Sequence, residues 1–169
     1  LLGPCQSGKT TLANTFSATY FDMEQEADRL RLDIEWESLI RSDKLIILDE
    51  AQEAPDLFPR LRGAIDAKRQ TNGRFLLSGS VSPSLTKQVS DSLAGKIALV
   101  ELSPLSISEV DPKSEKRLWM TGGYPDGGIV KPSAFEEWQR NYLQLLAERD
   151  LPNWGLPARS SVTIRFMKM

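Results

Sequence analysis

Short apolar runs alternate with segments of helical periodicity over the first hundred residues of the chain. Each run is three or four residues long, is apolar throughout and ends at a polar residue, which is typical of strands buried on both faces of a parallel sheet. Such strands are predicted at 18–21, 45–48, 75–77 and 97–100. Leu1 and Leu2 read as the truncated end of one further strand, which comes first in the chain and lies centrally in the sheet.

The segments between these runs carry apolar residues at helical spacing. Leu57, Leu61 and Ile65 recur every four residues, and the same spacing returns at 85–93, so that one face of each segment is apolar. Helices are predicted at 9–17, 27–40, 57–69 and 85–94. Strands that alternate with helices in this way predict an α/β fold in which helices flank a parallel sheet.

The pattern changes after residue 103. Two serines are followed by glutamate three residues later, the spacing of a capping box, namely Ser106 with Glu109 and Ser133 with Glu136. We expect a short helix at the first, disturbed by Pro112, and at the second a helix that runs to about residue 149. The tail at 152–157, which reads Pro-Asn-Trp-Gly-Leu-Pro, is expected to break that helix and to form the hinge to whatever follows. The predicted domains are a core over 1–103, a small helical extension over 104–150, and over 151–169 a linker that begins a missing C-terminal domain.

Composition restricts the chemistry that this fold can perform. The 169 residues carry a net charge of −2, so they present no basic surface for nucleic acid or an anionic membrane. The absence of histidine excludes Ser-His triads and histidine-ligated metals. The single cysteine, Cys5, excludes an internal disulfide, as expected of the reducing cytoplasm. No apolar run approaches the roughly 20 residues of a membrane span, so no membrane partner is expected.

The first chemical motif opens the chain. Residues 3–10 read Gly-Pro-Cys-Gln-Ser-Gly-Lys-Thr and match G-x4-G-K-[ST], the phosphate-binding P-loop. In such a loop successive backbone N–H groups converge on phosphates at the start of a helix. Lys9 is expected to reach the β- and γ-phosphates, and the Thr10 hydroxyl to bind Mg²⁺. The predicted nucleotide-binding residues are Gly3, Pro4, Cys5, Gln6, Ser7, Gly8, Lys9, Thr10 and Thr11.

Polar residues follow two of the predicted strands where ligands of open α/β sheets bind. Asp49 and Glu50 end the run at 45–48, the Walker B pattern. Asp49 is expected to hold Mg²⁺ together with Thr10, and Glu50 to orient and deprotonate the attacking water. A base beside the metal ligand favours a hydrolase over a small-molecule kinase. After the run at 75–77, Ser78 or Ser80 supplies a hydroxyl near the γ-phosphate, and Ser80 is preferred.

These motifs resemble prokaryotic AAA-superfamily ATPases. Further stretches of sequence extend the resemblance over essentially the whole chain, at 51–58, 92–95, 105–109, 122–125 and 142–150. The chain is most similar in pattern to AAA domain family fourteen. The resemblance implies the additional-strand catalytic-glutamate fold of P-loop NTPases, with strand order 5-1-4-3-2. It also implies ATP and Mg²⁺ as cofactors, and a C-terminal domain of unknown function with winged-helix and nuclease-like segments.

Arginines are where the chain departs from that family. Cys5 and Lys96 stand where the family usually has arginine, which weakens the phosphate or subunit contacts expected there. An ATPase of this superfamily uses an arginine to stabilise charge on the transferred phosphoryl group. Arg149 is the candidate for this role, with Arg60 and Arg62 behind it, and the alternative is that Arg149 is a solvated or helix-capping cation.

The predicted function is Mg²⁺-dependent ATP hydrolysis coupled to the missing C-terminal module. The partners considered are DNA or a protein bound through that module, and a second copy of the chain in a homo-oligomer. Two alternatives stay open from the residues: a nucleotide-gated binding switch with negligible turnover, and a P-loop phosphotransferase acting on a small molecule. ATP over other nucleoside triphosphates is implied by the resemblance alone.

Overall fold

A computed structural model describes residues 1–80, 85, 89, 91–156 and 159–167 of the chain. The chain divides into two compact units, Leu1–Leu102 and Ser103–Met169. Throughout these described ranges, no helix is long and apolar enough to cross a lipid bilayer.

The first unit contains short strands that all pair in parallel. They are β1 (Leu2–Gly3), β2 (Thr19–Asp22), β3 (Ile46–Asp49), β4 (Phe75–Leu77) and β5 (Gly79–Ser80). β3 lies between β2 and β4, and β5 pairs with β1. Only Ser78 separates β4 from β5, so the chain exchanges its neighbour β3 for β1 at that residue. An isolated parallel bridge joins Leu2 to Glu101 on the other side of β1.

Helices connect these strands close to where the sequence predicts them. They are α1 (Lys9–Ala13), α2 (Glu26–Arg41) and α3 (Leu57–Ala67), with a 3₁₀ turn at Ala51–Glu53. α1 ends earlier than predicted, because Thr15 and Phe16 donate their N–H groups to carbonyls three residues back and so tighten the end of the helix into turns. Part of the helix predicted at 85–94 lies outside the described residues, and its described members Leu85, Val89 and 91–93 are helical.

The hydrophobic core of this unit lies on both faces of β3. All four residues of β3 are buried, and the packed side chains around them include Phe21, Met23, Phe58 and Leu61, each at most 1% exposed. An apolar run of this kind cannot alternate inward and outward positions, since helices cover both sides of the sheet. The predicted α/β class, with parallel strands flanked by helices, is therefore confirmed.

The strand predicted at 97–100 is wrong. Glu101 alone forms the bridge to Leu2, while Leu99 and Val100 are 62% and 59% exposed. The Leu2 N–H donates to the Val100 carbonyl at 2.8 Å, and the Leu102 N–H donates to the Leu2 carbonyl at 2.7 Å. Only this one bridge joins the segment to β1 in the described residues, so 97–100 are not a strand and Leu99 and Val100 stay on the surface.

The second unit is helical. Its elements are α4 (Glu115–Thr121), α5 (Phe135–Leu145), α6 (Leu151–Asn153) and α7 (Ser160–Met167), with 3₁₀ turns at Pro112–Ser114 and Pro132–Ala134 and π-helical turns at Pro125–Ile129 and Leu146–Asp150. Trp138 and Tyr142 stack, and Tyr124 packs tilted against both rings, with ring centroids 4.9 to 5.2 Å apart. Tyr124 and Tyr142 also share a hydrogen bond between their hydroxyls at 2.9 Å. This aromatic cluster ties the 122–125 loop to α5.

Both predicted capping boxes differ from expectation. Glu109 accepts hydrogen bonds from the N–H and hydroxyl of Ser106, yet 107–110 form a turn rather than a helix. The carboxylate closes a local loop, and the following helical turn is capped instead by Asp111. Ser133 lies inside the 3₁₀ turn, so the N-cap position of α5 falls on Ala134, without a side-chain cap.

The helix break expected over 152–157 is confirmed at 154–156, where a turn follows α6. Pro152 itself lies inside α6. A π-helical turn at Leu146–Asp150 leads directly into α6, which places Pro152 in the first turn of a new helical segment. The backbone N–H that proline lacks has no helical partner at such a position.

Candidate functional site

The P-loop connects β1 to α1 through a backbone that few residue types tolerate. Gly8 has a φ of 97° and Gln6 a φ of 64°, both in the left-handed region. Gly3 is restricted for a different reason, since a Cβ there would lie 2.3 Å from the Leu102 carbonyl oxygen. The loop therefore combines two left-handed turns with one close backbone approach, which explains the glycines of the motif.

The interior of this loop holds a buried cation and an unpaired hydroxyl. Lys9 is 5% exposed, and its Nζ donates to the carbonyl oxygens of Gly3 at 3.2 Å and Pro4 at 3.0 Å. Ser7 is 6% exposed, and its Oγ has no hydrogen-bond partner among the described residues. Buried charges and hydroxyls are ordinarily matched by strong partners. This donor set fits an anion such as a phosphate.

Asp49 is the centre of a hydrogen-bond network at the end of β3. Its Oδ2 accepts from the Thr10 hydroxyl and from the Tyr20 hydroxyl, each at 2.7 Å. Its Oδ1 accepts from the Ser78 hydroxyl at 2.6 Å and from the Glu50 N–H at 3.1 Å. The network connects α1, β2, β3 and the residue between β4 and β5. It thus links the P-loop to the sheet through a single carboxylate.

These contacts control the protonation of both acidic groups in the network. Burial by itself raises the pKa of Asp49, but the hydrogen bonds from Ser78, Thr10, Tyr20 and the Glu50 N–H outweigh burial and hold the pKa below its usual value. The pKa of the Tyr20 phenol is raised, first by burial and then by its bond to the Asp49 carboxylate. At neutral pH, Asp49 is therefore an anion and Tyr20 a hydrogen-bond donor.

Glu50 lies in a strained turn directly after Asp49. Its φ of 48° and ψ of 47° are in the left-handed region, which a non-glycine residue adopts at an energetic cost. The next N–H, that of Ala51, donates to the Ser78 carbonyl at 3.0 Å and holds the turn against the neighbouring strand. The Glu50 carboxylate accepts a hydrogen bond of 2.6 Å from Nε2 of Gln52.

The two predicted serines have different surroundings. Ser78 is 1% exposed and bonds to Asp49, whereas Ser80 lies in β5 in register with Gly3 of the P-loop. The sensing role of Ser80 stays a prediction, supported by its place beside the P-loop. Ser78 instead orients the carboxylate on which the expected metal site depends.

The candidate arginines make other contacts. Arg149 belongs to the second unit, where its Nε donates to the Asp150 carboxylate at 2.9 Å. Arg60 stacks over the Trp36 ring at 4.4 Å and pairs with Asp33. Each of these contacts gives the arginine a local structural role, and the arginine-finger role of Arg149 stays a prediction.

The remaining predicted residues line the outside of the site. Cys5 is half-buried, while Gln6 and Thr11 are exposed. Lys96, which stands where the resembling family has arginine, donates to Asp66 at 2.6 Å. That contact holds Lys96 against α3.

Sequence reasoning missed two residues of the site. Tyr20 was interpreted only as part of an apolar strand, although the parallel register of β2 and β3 brings its hydroxyl to Asp49. Gln52 appeared only in the family pattern, without a role. Its position two residues after Glu50 is the available signal.

Comparison with known proteins identifies the chain. The family described as AAA domain matches residues 1–111. The chain belongs to this AAA domain family. That membership confirms the resemblance drawn from the sequence and indicates, in general terms, a nucleotide-binding ATPase domain.

Two mycobacterial relatives extend the comparison beyond the matched region. The chain is 39% identical over 161 residues to an uncharacterized protein of Mycobacterium bovis, and to an uncharacterized protein of Mycobacterium tuberculosis. The alignments cover 92% of this chain but 36% of each relative. The AAA domain chain therefore spans about a third of the length of the curated relatives it matches.

Proposed function

We propose that the protein binds ATP with Mg²⁺ at the P-loop and hydrolyses it with Glu50 as the general base. The observation that carries this proposal is the bond between Thr10 and Asp49, with the buried ammonium of Lys9 on one side and Glu50 on the other. It joins the expected phosphate site, metal site and base in one contiguous set of residues. Membership in the AAA domain family supports the same reaction class.

The chain's own groups supply the phosphate contacts. Lys9 exchanges its neutral carbonyl acceptors for charged phosphate oxygens, which form stronger, charge-assisted hydrogen bonds. Ser7 gains an acceptor for its unpaired hydroxyl. The dipole of α1 and the N–H groups at its start add further attraction for anions.

The oxygen atoms of Thr10 and Asp49 would hold the metal ion. A hydroxyl and a carboxylate are ligands that Mg²⁺ accepts, usually together with waters and substrate phosphates. Over the described ranges, no three Cys, Asp or Glu side chains gather at one point as a metal site, so the ion depends on the nucleotide for further ligands. Bound Mg²⁺ supplies neutralisation of charge on the phosphates.

Glu50 is proposed as the base because it directly follows the metal ligand, is half-buried and bonds to Gln52, whose amide lies against β5. A carboxylate in that position accepts a proton from water and returns it as product leaves. In the inferred order 5-1-4-3-2, β4 and β5 together correspond to the fourth strand and Glu101 to the fifth. The pairings β2–β3–β4 and β5–β1, with the bridge from Leu2 to Glu101, support this order and the catalytic-glutamate type. Coupling of hydrolysis to a further module that binds DNA or protein completes the proposal.

Two substitutions test the proposal in the natural full-length protein. Glu50→Gln is expected to bind ATP with unchanged affinity and to hydrolyse it about a hundredfold more slowly, because the base is lost. Glu53→Gln is the matched control, since Glu53 is exposed in the same turn and its variant should keep full turnover. Lys9→Ala is expected to weaken binding at least about tenfold, because a charged phosphate contact is lost.

The measurements separate the alternatives. Equilibrium titration with ATP gives affinity, and phosphate release gives turnover. ATP binding with negligible turnover in the parent would support the nucleotide-gated switch, and turnover only with a second acceptor would support the phosphotransferase. Equal hydrolysis by Glu50→Gln and the parent would refute Glu50 as base.

A further inference from the structure

The hydrogen bond between Gln52 and Glu50 has only one chemically allowed orientation. An ionised carboxylate accepts hydrogen bonds and donates none, so the amide must turn its NH₂ group toward Glu50. Nε2 lies 2.6 Å from Oε2 of Glu50. The carbonyl oxygen of Gln52 consequently lies on the other side of the amide. It is buried and has no hydrogen-bond partner among the described residues.

That oxygen lies against the backbone of β5. A Cβ built on Gly79 would lie 2.4 Å from Oε1 of Gln52 and 3.0 Å from Cδ2 of Leu85. Gly79 is not among the residues with positive φ, so its backbone conformation does not require glycine. A Cβ at this position would therefore displace the Gln52 amide from its place beside β5.

The surrounding backbone is already fixed. The Ala51 N–H bonds to the Ser78 carbonyl at 3.0 Å, and the Glu53 N–H bonds to the Glu50 carbonyl at 3.0 Å. These bonds hold the turn but leave the long Glu50 side chain with rotamer freedom. Gln52 removes that freedom through a contact to the carboxylate itself.

We propose that Gln52 is the positioning residue for Glu50: its amide lies against β5, the strand that carries Ser80, and holds the Glu50 carboxylate in one orientation. The inference rests on the proposed function, because a fixed Glu50 matters only where Glu50 accepts a proton from water. A general base that is already held in place does not lose conformational entropy at each turnover. Gln52 bonds to Glu50 and not to the P-loop, so its loss is expected to leave nucleotide affinity unchanged.

Gln52→Leu tests this role by removing the amide while keeping a similar volume. The kcat for ATP hydrolysis is expected to fall about tenfold with the Kd for ATP unchanged, because only orientation of the base is lost. Gln70→Leu is the matched control, since Gln70 is exposed at the end of α3 and its variant should keep the parental kcat. In a Glu50→Gln background, Gln52→Leu should cause no additional loss of kcat.

A second measurement tests the contact without using turnover. Gly79→Ala is expected to lower the melting temperature, and adding Gln52→Ala should restore part of that loss, because the closest clash disappears while Leu85 remains. Additive melting shifts would overturn the inference, as would an unchanged kcat in a folded Gln52→Leu variant. If the parent does not hydrolyse ATP, the proposed function is refuted and the positioning role falls with it. If the parent hydrolyses ATP and a folded Gln52→Leu variant does so equally fast, only the positioning role is refuted.

Discussion

At the residue scale, the site depends on Asp49, which is only 2% exposed and accepts hydrogen bonds from four donors. Its folded pKa lies below the usual value, so the ionised carboxylate stabilises the fold above about pH 4. This contribution is lost as the pH falls through the folded pKa. Asp49→Asn is therefore expected to lower the free energy of unfolding by about 2 kcal/mol at pH 7 and by clearly less at pH 3.

Urea unfolding of both proteins at the two pH values measures this difference. Asp56→Asn is the control, because Asp56 is exposed and its substitution should change stability little at either pH. A difference between the parent and Asp49→Asn that stays constant from pH 7 to pH 3 would contradict the network.

Tyr20 gives a second prediction at the same scale. Tyr20→Phe removes one donor from Asp49, so the pKa of Asp49 is expected to rise and the free energy of unfolding to fall by about 1.5 kcal/mol at pH 7. The loss should shrink at pH 3, where Asp49 begins to take up its proton.

Tyr124→Phe supplies the comparison for this change, because it also removes a phenol hydroxyl, here one bonded to the neutral Tyr142. Its effect on urea unfolding should be independent of pH between 3 and 7. Equal pH dependence of the two variants would mean that the Tyr20 hydroxyl does not act on Asp49.

Sequence spacing revealed some of these residues and concealed others. Lys9 and Thr10 are adjacent in one loop, and Asp49 follows an apolar run, so a local pattern exposes all three. Tyr20 reaches the site only through the register of two strands, which local spacing does not encode. Gln52 depends on the left-handed turn at Glu50, and no periodicity predicts such a turn.

At the element scale, Arg74 ties two helix ends together. It is 4% exposed, and its guanidinium donates to the carbonyls of Ile40 near the end of α2 and Ala64 near the end of α3. Cations at helix C-termini are stabilised by the helix dipole as well as by these bonds. Arg74→Met is expected to lower the free energy of unfolding by about 2–3 kcal/mol, because one buried and one partly buried carbonyl lose their donor.

Chemical denaturation measures the effect, with Arg69→Met as the control on the same loop. Arg69 is exposed and pairs with Asp66 at 3.3 Å, so its loss should change stability by less than about 1 kcal/mol. A similar loss in both variants would show that the buried position of Arg74 carries no special weight.

Strands and helices were predictable from the sequence where burial of apolar side chains selects one structure, and less predictable where it does not. β3 is buried on both faces, so its apolar run has one stable interpretation. The run at 97–100 is equally apolar, but only the bridge at Glu101 joins this segment to β1 in the described residues. Ser106 forms local bonds to Glu109 without a helix, since a capping pattern stabilises a turn equally well.

At the scale of the whole molecule, the two units divide the predicted chemistry. The P-loop, Asp49 and Glu50 belong to Leu1–Leu102, while Arg149 belongs to Ser103–Met169. An arginine that completes an ATPase site acts either on its own chain or on a neighbouring copy. This separation makes the source of the arginine an experimental question about assembly.

Mixing two impaired variants of the natural full-length protein answers that question. Arg149→Ala and Glu50→Gln are each expected to hydrolyse ATP about a hundredfold more slowly than the parent, the first without a change in ATP affinity. If Arg149 acts on a neighbouring copy, the equimolar mixture should recover up to about a quarter of the parental rate. Random assembly places an intact Glu50 opposite an intact Arg149 at about a quarter of the interfaces between copies. We expect this recovery. Steady phosphate release at increasing protein concentration measures it, and a mixture as slow as its components would show that Arg149 does not act between copies.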